Sequence, residues 1–244
     1  MAENYLSAIL RRKEEEVKSL PPSIRFKEAL TRSDFTVIAE LKRKSPSKGI
    51  LSKELDLIAL ARNYVEGGAA AISVLTDLEG FGGSLADLRA VIEACPGVPV
   101  LRKEFIIDLR QIDETARSGA HALLLIASAL QERLPEFIRV AKEYGLDALV
   151  EVHNKQELNL GLAAGAEIIG INNRNLTTFV TSTNTSLDLI AHIPPSIVTV
   201  SESGIENRAA ALQMKQAGFN AILVGEALVK SSDPRQLLRE MRQC

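Results

Sequence analysis

The chain has no tryptophan, aromatics make up 4% of its 244 residues, and its two cysteines are Cys95 and Cys244. With so few large rings, the interior has to be filled by aliphatic side chains, as in a layered barrel core. Two cysteines, one of them the last residue, make neither a disulfide framework nor a metal knuckle. A net charge of −2 gives no overall pull toward nucleic acid or an anionic membrane. Apolar runs are short, and none approaches the ~18–20 residues of a membrane span. The start, Met1-Ala2-Glu3-Asn4-Tyr5, lacks the basic stretch and apolar run of a secretory leader. The expectation is a soluble cytoplasmic protein with neither a membrane nor a nucleic-acid partner.

The 46% hydrophobic share is ample for a core, and the length suits a single domain. Eight Val-, Ile- and Leu-rich runs, at 35–41, 70–75, 98–102, 122–126, 147–152, 167–171, 197–202 and 220–225, read as strands buried on both faces. Between them lie segments with helical spacing, such as Leu55, Ile58, Ala59, Arg62 and Val65 in 54–66; others run at 84–94, 108–118, 130–143, 155–163, 184–191, 206–217 and 233–242. Ser84 with Asp87 reads as a capping box, and Pro234 sits early in the last helix. Gly67-Gly68, Gly119, Gly145, Gly165 and Gly218 each close a helical run before the next strand. Strict alternation of this kind predicts a parallel sheet covered by helices. A doubly wound open sheet also alternates, but eight units with polar strand tips favour closure into a single (β/α)8 barrel over 35–244.

Residues 1–34 stand outside that count as an N-terminal helical extension. Tyr5, Leu6, Ile9 and Leu10 form an apolar stripe, a charged run from Arg11 to Glu16 reads as a solvated face, and Pro21-Pro22 ends the helix. A second short helix is expected at 24–30. On this reading the extension caps an open end of the barrel, and its removal leaves the barrel folded.

The strand ends carry the chemistry. Along a strand, residues i and i+2 share a face, so Glu40 and Lys42 point the same way. Lys103, Glu151, Asn172 and Glu202 end strands three, five, six and seven, and a closed barrel brings such tips to one mouth. Three acids (Glu40, Glu151, Glu202) then face three bases (Lys42, Lys103, Arg174), a cluster in which neighbours shift one another's pKa. A structural ion-pair network accounts for any one of these residues; five strand tips at once make it a poor account of the set. Separately, Ser203-Gly204-Ile205-Glu206 and Val224-Gly225-Glu226-Ala227 turn from strands seven and eight into helices, where such barrels bind phosphate.

Other motifs carry less. Gly80-Phe81-Gly82-Gly83-Ser84 lacks the spacing of a dinucleotide fingerprint. His153 shares a face with Glu151, but His121 and His192 fall elsewhere, so no metal site is expected. Lys42-Arg43-Lys44 is too isolated for a nucleic-acid patch.

Five strings, Ile38-Ala39-Glu40-Leu41-Lys42-Arg43-Lys44-Ser45-Pro46-Ser47, Leu101-Arg102-Lys103-Glu104-Phe105-Ile106, Glu151-Val152-His153, Ile171-Asn172-Asn173-Arg174-Asn175-Leu176 and Val200-Ser201-Glu202-Ser203-Gly204-Ile205, closely resemble the indole-3-glycerol-phosphate synthase family. The resemblance covers nearly the whole chain. It implies a TIM-barrel carboxy-lyase of tryptophan biosynthesis that closes the indole ring of 1-(2-carboxyphenylamino)-1-deoxyribulose 5-phosphate, with loss of carbon dioxide and water. It further implies no cofactor or metal, a small sugar-phosphate as the partner, and a monomer.

Carried over, Lys103 resembles the general acid for the ribulose carbonyl, and Lys42 the holder of the substrate carboxylate. Glu151 serves in the dehydration, while Glu40, Asn172 and Glu202 orient lysines and sugar hydroxyls. Arg174 anchors the charge network. Ser45, Ser203, Gly204, Gly225 and Glu226 match phosphate-binding positions, and Phe81, Phe105, Leu176 and Leu223 match the apolar wall around the aromatic ring. For these four, ordinary packing is the competing explanation. Gly80, Glu104 and the Thr181-Ser182-Thr183-Asn184 stretch depart from the family pattern, in the loops after strands two and six and beside Lys103. A Schiff-base aldolase or isomerase on the same barrel, and a non-catalytic phosphate-ligand binder, are the alternatives.

Overall fold

Eight parallel strands close into a barrel in which the first and last pair directly. A computed structural model describes residues 9–13, 25–45, 49–50, 55–175 and 178–244; of residues 45 and 50 only the backbone is described. The barrel strands are β1 (Thr36–Leu41), β2 (Ala71–Leu75), β3 (Val100–Lys103), β4 (Ala122–Ile126), β5 (Asp147–Val152), β6 (Ile168–Asn172), β7 (Val198–Glu202) and β8 (Ala221–Val224). All eight expected runs are strands, with ends shifted by a residue or two. Closure, rather than an open sheet, is what eight such units produce. Lys44–Ser45 and Gly49–Ile50 form a small antiparallel ladder beyond β1.

Side-chain parity divides the core into two shells. Ile38, Ala71, Leu101, Ala122, Leu124, Leu149, Ile168, Val198, Val200 and Ala221 point inward and fill the barrel. Their neighbours of opposite parity, among them Val37, Ala39, Ile72, Val150 and Ile222, pack outward against the helices with Tyr64, Leu88, Phe137 and Met214. Aliphatic residues do fill both shells, as the scarcity of aromatics requires.

The helices start and stop on local chemistry. The Ser84 hydroxyl accepts from Asp87 N at 3.1 Å and donates to the Asp87 carboxylate at 2.8 Å, so the helix Leu85–Ala94 begins on a capping pair. Asn154, Asn207 and Asp233 cap later helices in the same way. Gly68, Gly119, Gly145, Gly165 and Gly218 all have positive φ at helix ends. The helix expected over 130–143 is interrupted: Ala127–Leu130 is followed by a 3-10 turn at Gln131–Arg133, and Leu134–Glu143 starts afresh. Pro135 lacks an N–H, so the α-ladder cannot run through it and restarts at its own first turn.

The second half of the N-terminal helical extension packs into the barrel itself. Phe26 and Leu30, on the helix Phe26–Leu30, are fully buried in the inner-barrel cluster. They meet the first residues of the strands, and so plug the amino end. Lys27 N donates to Asp147 Oδ2 at 2.9 Å and Thr36 Oγ1 to Leu30 O at 3.3 Å, which ties the plug to β5 and β1. Of the earlier helix, residues 9–13 are helical with Leu10 exposed, while Tyr5 and Leu6 lie outside the described residues. Among the described residues no helix is long and apolar enough to cross a membrane.

Candidate active site

The plug leaves the opposite, carboxyl end of the barrel open as a cavity of about 760 Å³. Glu40, Lys42, Lys103, Glu151, Asn172, Arg174 and Glu202 all line it, so the convergence expected from strand parity occurs. Lys103 stands at its centre. Its Nζ donates to Glu151 Oε2 at 3.1 Å and to Glu202 Oε2 in a shorter contact. Lys42 Nζ pairs separately with Glu40 Oε1 at 2.8 Å. Asn172 Oδ1 accepts from Arg174 N at 3.0 Å, which shapes the chain as it leaves β6.

Electrostatics sorts these groups. Burial alone pushes the Lys103 ammonium toward neutrality, but Glu202, Glu151 and Glu40 outweigh it and raise its pKa. Burial also opposes ionisation of Glu151, yet Lys103, His153 and Asn172 hold it well below the usual carboxylate range. Glu202 goes the other way: burial dominates, Glu151 and Glu40 add repulsion, and its pKa is raised in spite of Lys103. Two carboxyls on one ammonium are thus pushed apart, the pattern that assigns different proton-handling roles to neighbouring acids.

Two glycines make this packing possible. A Cβ on Gly170, inside the barrel on β6, falls 2.1 Å from Glu202 Oε1. That oxygen is buried without a hydrogen-bond partner, so nothing larger than glycine fits beside it. A Cβ on Gly225 falls 2.5 Å from Glu40 Oε1 and 3.0 Å from Lys42 Nζ. Gly225, expected to serve phosphate alone, therefore also makes room for the Glu40–Lys42 pair.

The expected phosphate positions gather on one side of the cavity, where Ser203, Gly204, Gly225 and Glu226 line the wall. Ser203 and Gly204 both have positive φ, 67° and 79°. Strain at a non-glycine residue persists only where its surroundings hold it. Here Asn173 Nδ2 donates to Ser203 O at 3.0 Å and to Ser201 Oγ at 3.1 Å, while its Oδ1 accepts from Ser186 N at 3.0 Å. Glu226 turns its carboxylate back onto Lys230 at 2.7 Å, and Asn207 caps the helix Arg208–Gln216. Phe81 and Phe105 stack as a tilted pair at 6.3 Å, and with Leu223 they supply the apolar wall. Leu176 lies outside the described residues, as does the side chain of Ser45.

Several groups escaped the sequence reading. Asn173 sits inside a quoted string but has the parity opposite to Asn172, and its partners Ser186 and Ser201 are remote in sequence. Arg43 leaves the mouth to make a double contact with Asp87, both arms at 2.7 Å, and a third with Gly82 O at 2.9 Å, pinning the loop after β1 to the one after β2. The run Lys42-Arg43-Lys44 is divided: Lys42 pairs with Glu40, Arg43 with Asp87, and Lys44 Nζ donates to the Glu79 carbonyl. His153, dismissed as a metal ligand, lies 3.3 Å from Glu151 Oε1.

With this geometry in hand, comparison with known proteins is decisive. The family model for indole-3-glycerol phosphate synthase matches residues 3–241. The chain belongs to that family. An indole-3-glycerol phosphate synthase from an Exiguobacterium species is 44% identical over 99% of this chain and 97% of its own. One from Chlorobium luteolum is 43% identical over 94% of each. Among solved structures, thiamine phosphate pyrophosphorylase from Pyrococcus furiosus superimposes with a TM-score of 0.65 at 16% identity, covering 90% of this chain and 96% of that one. At that identity the likeness concerns the barrel alone. Membership of the synthase family rests on the family model and the sequence relatives.

Proposed function

We propose that the chain is an indole-3-glycerol-phosphate synthase, a carboxy-lyase that closes the indole ring of 1-(2-carboxyphenylamino)-1-deoxyribulose 5-phosphate. The observation that carries the reading is the Lys103 ammonium, held between Glu151 and Glu202 at the floor of the cavity. An ammonium with a raised pKa is a poor donor to a neutral carbonyl. It is a good donor to the alkoxide that forms as the ring carbon attacks that carbonyl, so it acts where charge develops. Lys42, at the rim beside Glu40, takes the substrate carboxylate. That group leaves as carbon dioxide when the ring regains aromaticity. Glu151 is held ionised and accepts the carbon-bound proton in the dehydration, while Lys42, released once the carboxylate has left, gives a proton to the departing hydroxyl so that it leaves as water.

Glu202 and Glu40 orient the two lysines, Asn172 contacts the sugar hydroxyls, and Arg174 steadies the network from beyond β6. The turns at Ser203–Gly204 and Gly225–Glu226, with Ser45, bind the phosphate. Phe81, Phe105, Leu176 and Leu223 hold the aromatic ring. Anchoring both anionic ends enforces the bend that brings ring carbon and carbonyl together. The chain acts as a monomer on a small sugar-phosphate. Two unpaired thiols, Cys95 and Cys244, fit the reducing cytoplasm.

The Schiff-base reading fares worse. Attack on a carbonyl by lysine needs a neutral amine, whereas Lys103 is bound to two carboxylates and kept protonated. The test is turnover of the ribulose substrate by Lys103→Ala and Glu151→Gln, with borohydride trapping in parallel. The expected results are losses of about 10²–10⁴-fold for each variant and no trapped adduct. A reduced covalent adduct on the parent, or turnover by Lys103→Ala within a few-fold of it, contradicts the reading.

A further inference from the structure

The Glu151 carboxylate is approached from two sides, and the second side has no part in the mechanism above. While Oε2 meets Lys103, Oε1 lies 3.3 Å from His153 Nε2. The other ring nitrogen, Nδ1, is 2.9 Å from Glu157 Oε2. Glu157 is itself immobilised: Oε2 also accepts the His153 backbone N–H at 2.9 Å, and Oε1 accepts Asn154 Nδ2 at 2.7 Å. Asn154 Oδ1 in turn caps Glu157 N at 3.0 Å. A row of alternating charges thus runs from Lys103 through Glu151 and His153 to Glu157, at the first turn of the helix Lys155–Ala163. A residue that only fastened this helix to β5 would need Glu157 alone. Instead Nε2 is buried, facing the catalytic carboxylate, without a well-aligned hydrogen bond of its own.

We propose that His153, clamped by Glu157, is a positioning residue that fixes the direction of the Glu151 carboxylate for the dehydration step. This rests on the role given to Glu151 above. When Lys103 passes its proton to the substrate, Glu151 loses the cation on Oε2, and a cationic His153 on Oε1 keeps it a carboxylate aimed at the cavity. Burial lowers the imidazole pKa, but the two flanking carboxylates outweigh it and raise the value to about 9, so His153 is charged at neutral pH. The charged groups around it are Glu151 on β5, Glu157 on the helix, Lys103 and Glu202 beyond Glu151, and Arg174 across a small cavity that both line.

The experiment is steady-state kcat and KM from about pH 6 to about pH 10 for the parent, His153→Asn, His153→Gln, Glu157→Gln and Glu151→Gln, with folding checked by circular dichroism. His153→Asn is expected to lose kcat by roughly 10- to 100-fold with KM nearly unchanged, the cost of a misaimed group. His153→Gln places an amide nitrogen near the Nε2 position and should recover part of that rate without the parent's alkaline limb. Glu157→Gln should keep most of its rate at low pH and fall off earlier than the parent as pH rises, because His153 deprotonates sooner. It also decides the matter if His153→Asn does not fold. Parent-like kcat and pH profiles for His153→Asn and Glu157→Gln, beside an inactive Glu151→Gln, overturn the positioning role and leave Glu151 in place. An active Glu151→Gln overturns both.

Discussion

Removing the Lys103 ammonium leaves Glu151 and Glu202 facing each other, both buried, with His153 beside Glu151 and no cation on Glu202. Breaking a buried pair from one side typically costs about 3–5 kcal/mol, so Lys103→Met should lower stability at neutral pH as well as activity. The steepness of its pH dependence is diagnostic. In the parent, Glu151 has a lowered pKa and stays ionised over this range, while Glu202 has a raised pKa, so the parent already gains some stability as pH falls from about 7 toward 5. In Lys103→Met, Glu202 loses the cation that holds its pKa down while Glu151 keeps His153, so stability should rise more steeply than in the parent as pH drops from about 7 toward 5. Thermal melts of both proteins across that range check this; parallel curves contradict it.

Gly170 is a second test at the same scale. Gly170→Ala puts a methyl where Glu202 Oε1 lies, so the carboxyl has to swing away from Lys103. Activity should fall by about 10-fold or more, and overpacking should cost about 1–3 kcal/mol. Assay and denaturant titration read both, and a fully active alanine variant means that Glu202 is not held where the structure has it. Strand parity made Glu40, Lys42, Lys103, Glu151 and Glu202 legible in the sequence. It could not show Gly170 or Asn173, whose importance depends on how far side chains from neighbouring strands reach.

At the scale of elements, caps and glycine stops were legible because each acts within four residues of itself. The broken helix around Gln131 was not, because its apolar spacing continues across the Pro135 restart. The short helix Phe26–Leu30 was expected in nearly the right place, but its job was not legible: no local pattern says that Phe26 and Leu30 fill the amino end of a barrel assembled from strands up to 195 residues away. Deleting residues 1–24 should therefore leave a cooperatively folding barrel. Deleting 1–34 should not, since each of the two buried side chains is worth about 2–5 kcal/mol. Circular dichroism and cooperative melting of the two truncations give the answer. A well-folded 35–244 fragment contradicts the plug.

For the whole molecule, closure turns scattered residues into a site. Strand ends separated by up to 184 positions, from Glu40 to Val224, meet within one cavity because β1 pairs with β8. Eight alternations made that closure legible. The proton distribution within the mouth was not, because it follows from burial and from distances of 3 Å between side chains on β3, β5 and β7. The central claim is that this mouth closes an indole ring. The most direct measurement is the appearance of indole fluorescence when the purified chain is given 1-(2-carboxyphenylamino)-1-deoxyribulose 5-phosphate, with carbon dioxide release followed in the same sample. The expected result is one carbon dioxide per indole-3-glycerol phosphate formed, lost together in Lys103→Ala. Substrate consumed without indole fluorescence, or fluorescence that persists unchanged in Lys103→Ala, contradicts it.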